Sequence, residues 1–179
     1  MKATNLTPQS KYLKLYQTDK GWVFASRQSI PKLESNDWKP DAVIIVPILK
    51  NKNVVMVSQY RQALDNVEID FPAGLVDDGE DIVKAAAREL KEETNLDIVE
   101  ILKISPVIYS SSGMTDESYV VVYVLVDGEL SNVNQEETED ITVHELNPDQ
   151  VEDFAASNKY RISGKSWCLL NGISSFIES

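Results

Sequence analysis

The chain has 179 residues, 42% of them hydrophobic, and carries 17 basic against 29 acidic side chains for a net charge of −12. That length suits one domain with a real core, and the acidic balance argues against general nucleic-acid binding, which favours the opposite sign. No apolar run approaches a membrane span and the start, MKATNLTPQSKYLKLYQ, lacks an apolar export signal, so no membrane attachment and a cytoplasmic location are expected.

Residues 11–18 and 21–28 read as two strands around Asp19-Lys20-Gly21, a hairpin signal. A polar loop with Pro31 and Pro40 fills 29–41. AVIIVPIL (42–49) and NVVMVSQY (53–60) read as a second, more buried hairpin around Lys50-Asn51-Lys52, with Pro47 marking a bulge or an edge. A short strand over 67–71 leads into an acidic loop and then a helix from Asp81. Residues 98–108 and 118–126 are further strands around a polar loop, 109–117. The acidic run SNVNQEETED (131–140) precedes the strand ITVHEL (141–146). Asn147-Pro148 is a helix start, Asn as cap and Pro at the first position, for a helix over 149–157. A last helix over 164–177 carries Trp167, Leu169, Leu170, Ile173 and Phe176. The one cysteine, Cys168, sits among these apolar residues and reads as a packed core thiol. Strand content with few helices makes the class α/β.

The most informative stretch is 74–96, GLVDDGEDIVKAAARELKEETNL. Ile82, Ala85, Ala86, Leu90 and Leu96 are apolar at helical spacing, and Ala is the best helix former. On that helix Glu89 and Glu93 point the same way, about 40° apart, with Glu92 on the other flank of the face. Like charges so placed destabilise an isolated helix, and a hard divalent cation bound by carboxylate oxygens would compensate. Arg88, four residues before Glu92, can pair with it and hold the carboxylates from the side. Spacing alone also admits a solvated acidic face, which is what most Glu-rich helices are.

The full spacing resembles the Nudix box: Gly, five residues, Glu, seven residues, then Arg-Glu-apolar-any-Glu-Glu-any-Gly-apolar. Gly74, Glu80, Arg88, Glu89, Leu90, Glu92, Glu93 and Leu96 match it. Asn95 stands where that family has Gly, and Asn is the next best residue for a left-handed helix end. The resemblance implies a Nudix-type α/β/α sandwich with a mixed sheet over 41–179. Residues 1–40 would form a small antiparallel β segment that mediates a homodimer. It also implies Mg²⁺, with Mn²⁺ as a substitute, held by Glu89, Glu92, Glu93 and the Ala73 carbonyl.

Further segments resemble the ADP-ribose pyrophosphatase branch. Phe71-Pro72-Ala73-Gly74 matches its Pro-Ala-Gly lead, with Asp70 where a Glu is usual and Glu68 able to serve instead in a ribose contact. Gln59-Tyr60-Arg61 implies a phosphate or ribose contact from Arg61, whose guanidinium suits phosphate oxygens. Ser110–Glu117 resembles a Ser-Pro-Gly…Glu segment, but Ser112 replaces the Pro that marks ADP-ribose preference. Glu117 binds substrate there or pairs with a neighbouring cation. In the acidic run, Glu137 is assigned as base and Glu139 as metal ligand, roles that could exchange. Trp22, Phe24 and Tyr12 are candidates to stack on an adenine or to fill the core. His144 reads as a packing residue. The expected activity is hydrolysis of ADP-ribose, or a close nucleoside diphosphate sugar, to AMP and ribose 5-phosphate. Other nucleotide sugars, NAD, an RNA cap and a non-catalytic ligand sensor stay open.

Overall fold

The computed structural model describes residues 1–35, 38–131, 140–147, 150, 153, 156–157 and 159–177, with backbone alone over 174–177. In chain order the strands are β1 (Ala3–Asn5), β2 (Lys14–Thr18), β3 (Val23–Ser26), β4 (Ala42–Leu49), β5 (Val54–Arg61), β6 (Asn66–Asp70), β7 (Ala73–Leu75), β8 (Asp97–Ile104), β9 (Ile108–Tyr109), β10 (Ser118–Asp127), β11 (Ile141–Leu146) and β12 (Arg161–Ile162). The helices are a short turn α1 (Lys32–Ser35), then α2 (Ile82–Thr94) and α3 (Gly164–Ile177). The helix expected over 149–157 lies largely outside the described residues. Among the described residues, no helix is long and apolar enough to cross a membrane.

The chain divides into two compact units, Met1–Ala42 with Ser105–Val120, and Val43–Ile104 with Val121–Ser179. In the first, β1, β2 and β3 form a three-stranded antiparallel sheet. The hairpin forms where Asp19-Lys20-Gly21 placed it: Gly21 takes φ 81°, and the Thr18 amide donates to the Trp22 carbonyl at 2.8 Å. The strands are shorter than the sequence suggested, and β1 and α1 were not foreseen. Neither three nor four residues can show a period that separates them from loop. Tyr16 and Phe24 stack at 5.8 Å in this sheet, and the Tyr16 hydroxyl donates to the Ser29 carbonyl at 2.8 Å.

A buried ion pair closes this unit. Lys32 and Asp41 are 4% and 8% exposed, with Nζ to Oδ2 at 2.6 Å. Nζ also donates to the Lys39 carbonyl and the Ser118 hydroxyl, while Asp41 accepts from the Ser118 amide and the Gln28 side chain. Burial alone would raise the Asp41 carboxyl. The hydrogen bonds from Lys32, Gln28 and Ser118 outweigh it and hold the group below its ordinary value. A buried pair persists only when its remaining donors and acceptors are satisfied in this way.

The larger, nine-stranded sheet runs β12-β6-β5-β4-β10-β8, with β11 beside β5, β7 beside β4 and β9 beside β10, and most of its strands belong to the second unit. The β12–β6 pair is parallel and the β5–β6 and β5–β11 pairs are antiparallel, so the sheet is mixed. The fully buried residues of β4, β5 and β10 (Val43, Ile45, Val46, Val54, Val55, Met56, Val122 and Val124 among them) form its core. β4 lies between β5 and β10, so Pro47 stands in an inner strand and not at an edge. Against this sheet α2 buries Ala85, Ala86 and Leu90.

Both ends of α2 follow from single residues. Asp81 caps it, its carboxylate accepting from the Val83 amide at 2.9 Å and the Lys84 amide at 3.3 Å. Asn95 ends it in the left-handed region, φ 63° and ψ 8°, and its amide donates to the Lys91 carbonyl. Asn thus does there what Gly would.

Cys168 is exposed, contrary to the expected core position. The inward stripe of α3 runs through Ser166, which is fully buried, and Ile173, which is 1% exposed. At 100° per residue Cys168 lies about 200° from Ser166, on the far side of the helix.

Candidate active site

The strand β6 ends at Asp70, and the chain turns through Phe71 and Pro72 into β7, which faces the start of the carboxylate ladder on α2. Arg88 organises that ladder. Its Nη2 lies 2.9 Å from Glu80, its Nη1 lies 2.7 Å from Glu89 and 3.3 Å from Glu92, and Nη2 also donates to the Leu75 carbonyl at 3.0 Å. The anticipated Arg88–Glu92 pair is therefore one spoke of three. Its hydrogen bond to Glu80, chiefly, pushes the guanidinium further up its already high range. The same bond holds the Glu80 carboxyl below its usual value, helped by the Asp77 amide. One guanidinium thus contacts three of the four glutamates and offsets one of their three charges.

Gly74 is required by space. A Cβ there would lie 1.9 Å from the Glu89 carboxyl carbon and 2.0 and 2.2 Å from its oxygens. The missing side chain admits the Glu89 carboxylate close to the backbone. Glu93, 6% exposed, accepts the Ala73 amide at 3.2 Å, which locks the helix to the residue whose carbonyl was singled out.

Other expected residues fall in three places. Near the ladder's strands, Arg61 pairs with Glu68 at 3.3 Å, the arginine side chain 45% exposed and able to reach a further anion. Asp70 is buried: it accepts from the Phe71 amide at 2.9 Å and from the Ser163 and Ser166 hydroxyls, and pairs with Lys165 at 2.9 Å. His144 packs, edge-on to Tyr160 at 5.7 Å and 2.8 Å from the Ser58 hydroxyl.

In the first unit, Trp22, Phe24 and Ser112 line one cavity of about 510 Å³, together with Trp38, Tyr109 and Asp116. Trp22 is 60% exposed, whereas Phe24 is buried. Tyr12, 71% exposed, is not in the lining. Glu117 pairs with Arg27. Trp38 and Tyr109 escaped notice because each is a lone aromatic without strand or helix period. Glu137 and Glu139 lie outside the described residues.

Among the described residues no three acidic or imidazole groups meet at a point as a ready metal cage. The donors nevertheless fit a hard divalent cation in kind: carboxylate oxygens from one helix face, gathered beside a gap only glycine leaves, around a cation already in place.

The chain belongs to the Nudix hydrolase family, since the NUDIX domain model matches residues 38–163. An ADP-ribose pyrophosphatase of Saccharomyces cerevisiae is 40% identical over 92 residues, 49% of this chain and 39% of that protein. An ADP-ribose pyrophosphatase of Bacillus subtilis is 35% identical over 92 residues, 51% of this chain and 48% of that protein. The chain thus matches under half the length of these two relatives. A GDP-mannose pyrophosphatase of Salmonella arizonae is 33% identical over 147 residues, 78% of this chain and 76% of that protein. A crystal structure of an ADP compounds hydrolase shares the fold, with TM-score 0.72 and 18% identity over 99% of this chain and 95% of that one.

Proposed function

We propose that the chain hydrolyses the pyrophosphate bond of a nucleoside diphosphate sugar with Mg²⁺, ADP-ribose to AMP and ribose 5-phosphate being the leading case. The observation that carries this is the gathering of the box carboxylates, Glu80 from the loop before α2 and Glu89 and Glu92 from the helix on Arg88, with Glu93 on the Ala73 amide. The relatives named for ADP-ribose supply the substrate class.

Glu89, Glu92, Glu93 and the Ala73 carbonyl would hold the cation. When bound, it would neutralise the diphosphate and acidify a water for attack on phosphorus. Arg88 keeps the carboxylates in position, and Arg61, oriented by Glu68, takes a phosphate oxygen. Glu137 accepts the proton of the attacking water and Glu139 adds a ligand. Glu137→Gln should then lower kcat more than it raises KM, because a general base acts in the transition state. If Glu139→Gln is crippled and Glu137→Gln is not, the two roles are reversed.

The aromatic cavity suits a purine ring in volume and chemistry, which supports Trp22 and Phe24 as substrate contacts. Residues 1–40 are assigned to dimerisation. A small sheet with exposed Leu13, Leu15, Trp22 and Val23 has apolar surface to cover. Light scattering should show a dimer at micromolar concentration, and only monomer would overturn this part.

A second substrate reading has its own support: a relative matched over 78% of this chain is named for GDP-mannose. Ser112 leaves its loop without the fixed φ a proline would impose. The test is a product assay with Mg²⁺ across ADP-ribose, other ADP-sugars, GDP-mannose, NAD and diadenosine polyphosphates. ADP-ribose should be cleaved, with a second nucleotide sugar within about tenfold in kcat/KM, a gap of about 1.4 kcal/mol. Ser112→Pro should sharpen the preference for ADP-ribose. Efficient cleavage of a triphosphate or a diadenosine polyphosphate with no action on ADP-ribose would overturn the substrate class and leave the family standing.

A further inference from the structure

The turn that presents Ala73 to α2 is held from behind by the last helix. Ser166, at the start of α3, is fully buried, although serine is usually a surface residue. Its hydroxyl donates to the Asp70 carboxylate and accepts the Phe71 amide at 3.1 Å. Asp70 in turn accepts the Phe71 amide and the Ser163 hydroxyl, and its other oxygen pairs with Lys165. Ser163 also caps the helix, accepting the Ser166 amide at 3.1 Å. Next to this cluster, β12 runs parallel to β6, Arg161 opposite Glu68 and Ile162 opposite Ile69.

The chain from Asp70 to Ala73 is thereby tied at each polar point named here. The Phe71 amide goes to Ser166 and Asp70, the Pro72 carbonyl accepts the Ile45 amide at 2.8 Å, and the Ala73 amide goes to Glu93. Pro72 has no amide to place. Release of the Phe71 tether would let the turn shift and carry the Ala73 carbonyl and the Glu93 contact with it. Groups behind a metal site orient the ligands, and their loss typically costs 10–100-fold in affinity.

We propose that Ser166, with Asp70 and Lys165, is a positioning device through which α3 sets the Ala73–Glu93 side of the metal site. The proposal rests on the metal reading given above. None of the three residues is among the ligands assigned above; each acts through the turn. Ser163 secures the helix end that carries them.

The test is Mn²⁺ binding to the whole protein, followed by electron paramagnetic resonance, with Mg²⁺-dependent kinetics in parallel. Ser166→Ala should weaken Mn²⁺ binding about tenfold, and Ser166→Thr, which keeps the hydroxyl, should restore most of it. The Mg²⁺ concentration for half activity should rise by a similar factor, while kcat at saturating Mg²⁺ falls less. Lys165→Met, at a partly exposed position, should weaken Mn²⁺ in the same direction by a smaller factor and answers the question should Ser166→Ala fail to fold. A folded Ser166→Ala, by circular dichroism, that binds Mn²⁺ as wild type does would overturn the proposal, as would wild-type binding by Lys165→Met if Ser166→Ala does not fold. Wild-type protein that binds no Mn²⁺, or whose binding survives Glu93→Gln unchanged, would instead overturn the metal assignment itself.

Discussion

Glu93→Gln is expected to lower turnover by about 10²-fold or more, the scale of losing one electrostatic stabiliser in a water-poor site. The substitution separates charge from shape. Glu93 accepts the Ala73 amide through one oxygen, and glutamine keeps an oxygen that can do the same. Glu93 is 6% exposed, a depth at which a charge is costly to desolvate. Removing it should leave thermal stability unchanged or slightly raised. Near-normal turnover at saturating Mg²⁺, in a protein that melts like wild type, would remove Glu93 from the metal ligands.

Gly74→Ala should have a comparable effect by a steric route. The new Cβ would fall 1.9 Å from the Glu89 carboxyl carbon, well inside contact distance, so something must move. The cheaper movement is that of the glutamate side chain, since the strand and helix backbones are both hydrogen-bonded. Glu89 would leave the gap beside β7 and strain its 2.7 Å pair with Arg88. Arg88 would keep Glu80 and Glu92. We expect turnover to fall about 10²-fold, as for loss of a charged stabiliser, with Mg²⁺ demand raised and the fold retained. Double substitution gives the sharper reading. If Glu89 is the only group disturbed, Gly74→Ala added to Glu89→Gln should cost much less than the two separate losses combined. Full additivity would mean that Gly74 matters for another reason.

These two residues show how directly some of the site could be read. The carboxylates, Arg88 and Gly74 lie within one contiguous stretch, and a helix converts spacing into direction without help from the rest of the chain. The Asp81 start, the left-handed Asn95, the hairpin at Gly21 and the α3 limits were legible for the same reason: each depends on neighbours a few residues away. The family follows from that stretch, and the match over 38–163 agrees with it.

What the linear pattern could not show depends on partners far along the chain. Asp70 looked like a ribose contact, yet its hydrogen-bond partners Ser163 and Ser166 lie 93 and 96 residues on. The Asp70–Ser166 hydrogen bond goes with an inward stripe of α3 that buries Ser166 and leaves Cys168 outside. Lys32, Asp41 and Ser118 carry no local signal, because a buried ion pair is decided by which loops meet. Trp38, Tyr109 and Ser112 become one cavity wall with Trp22 only when 105–120 joins the N-terminal unit. Periodicity and capping are short-range energies and are written in the sequence locally. Burial and hydrogen-bond satisfaction are set by topology, so the tertiary structure alone decided that Asp70 and Ser166 are tied together behind the Phe71–Ala73 turn while the Arg61 side chain stays partly exposed.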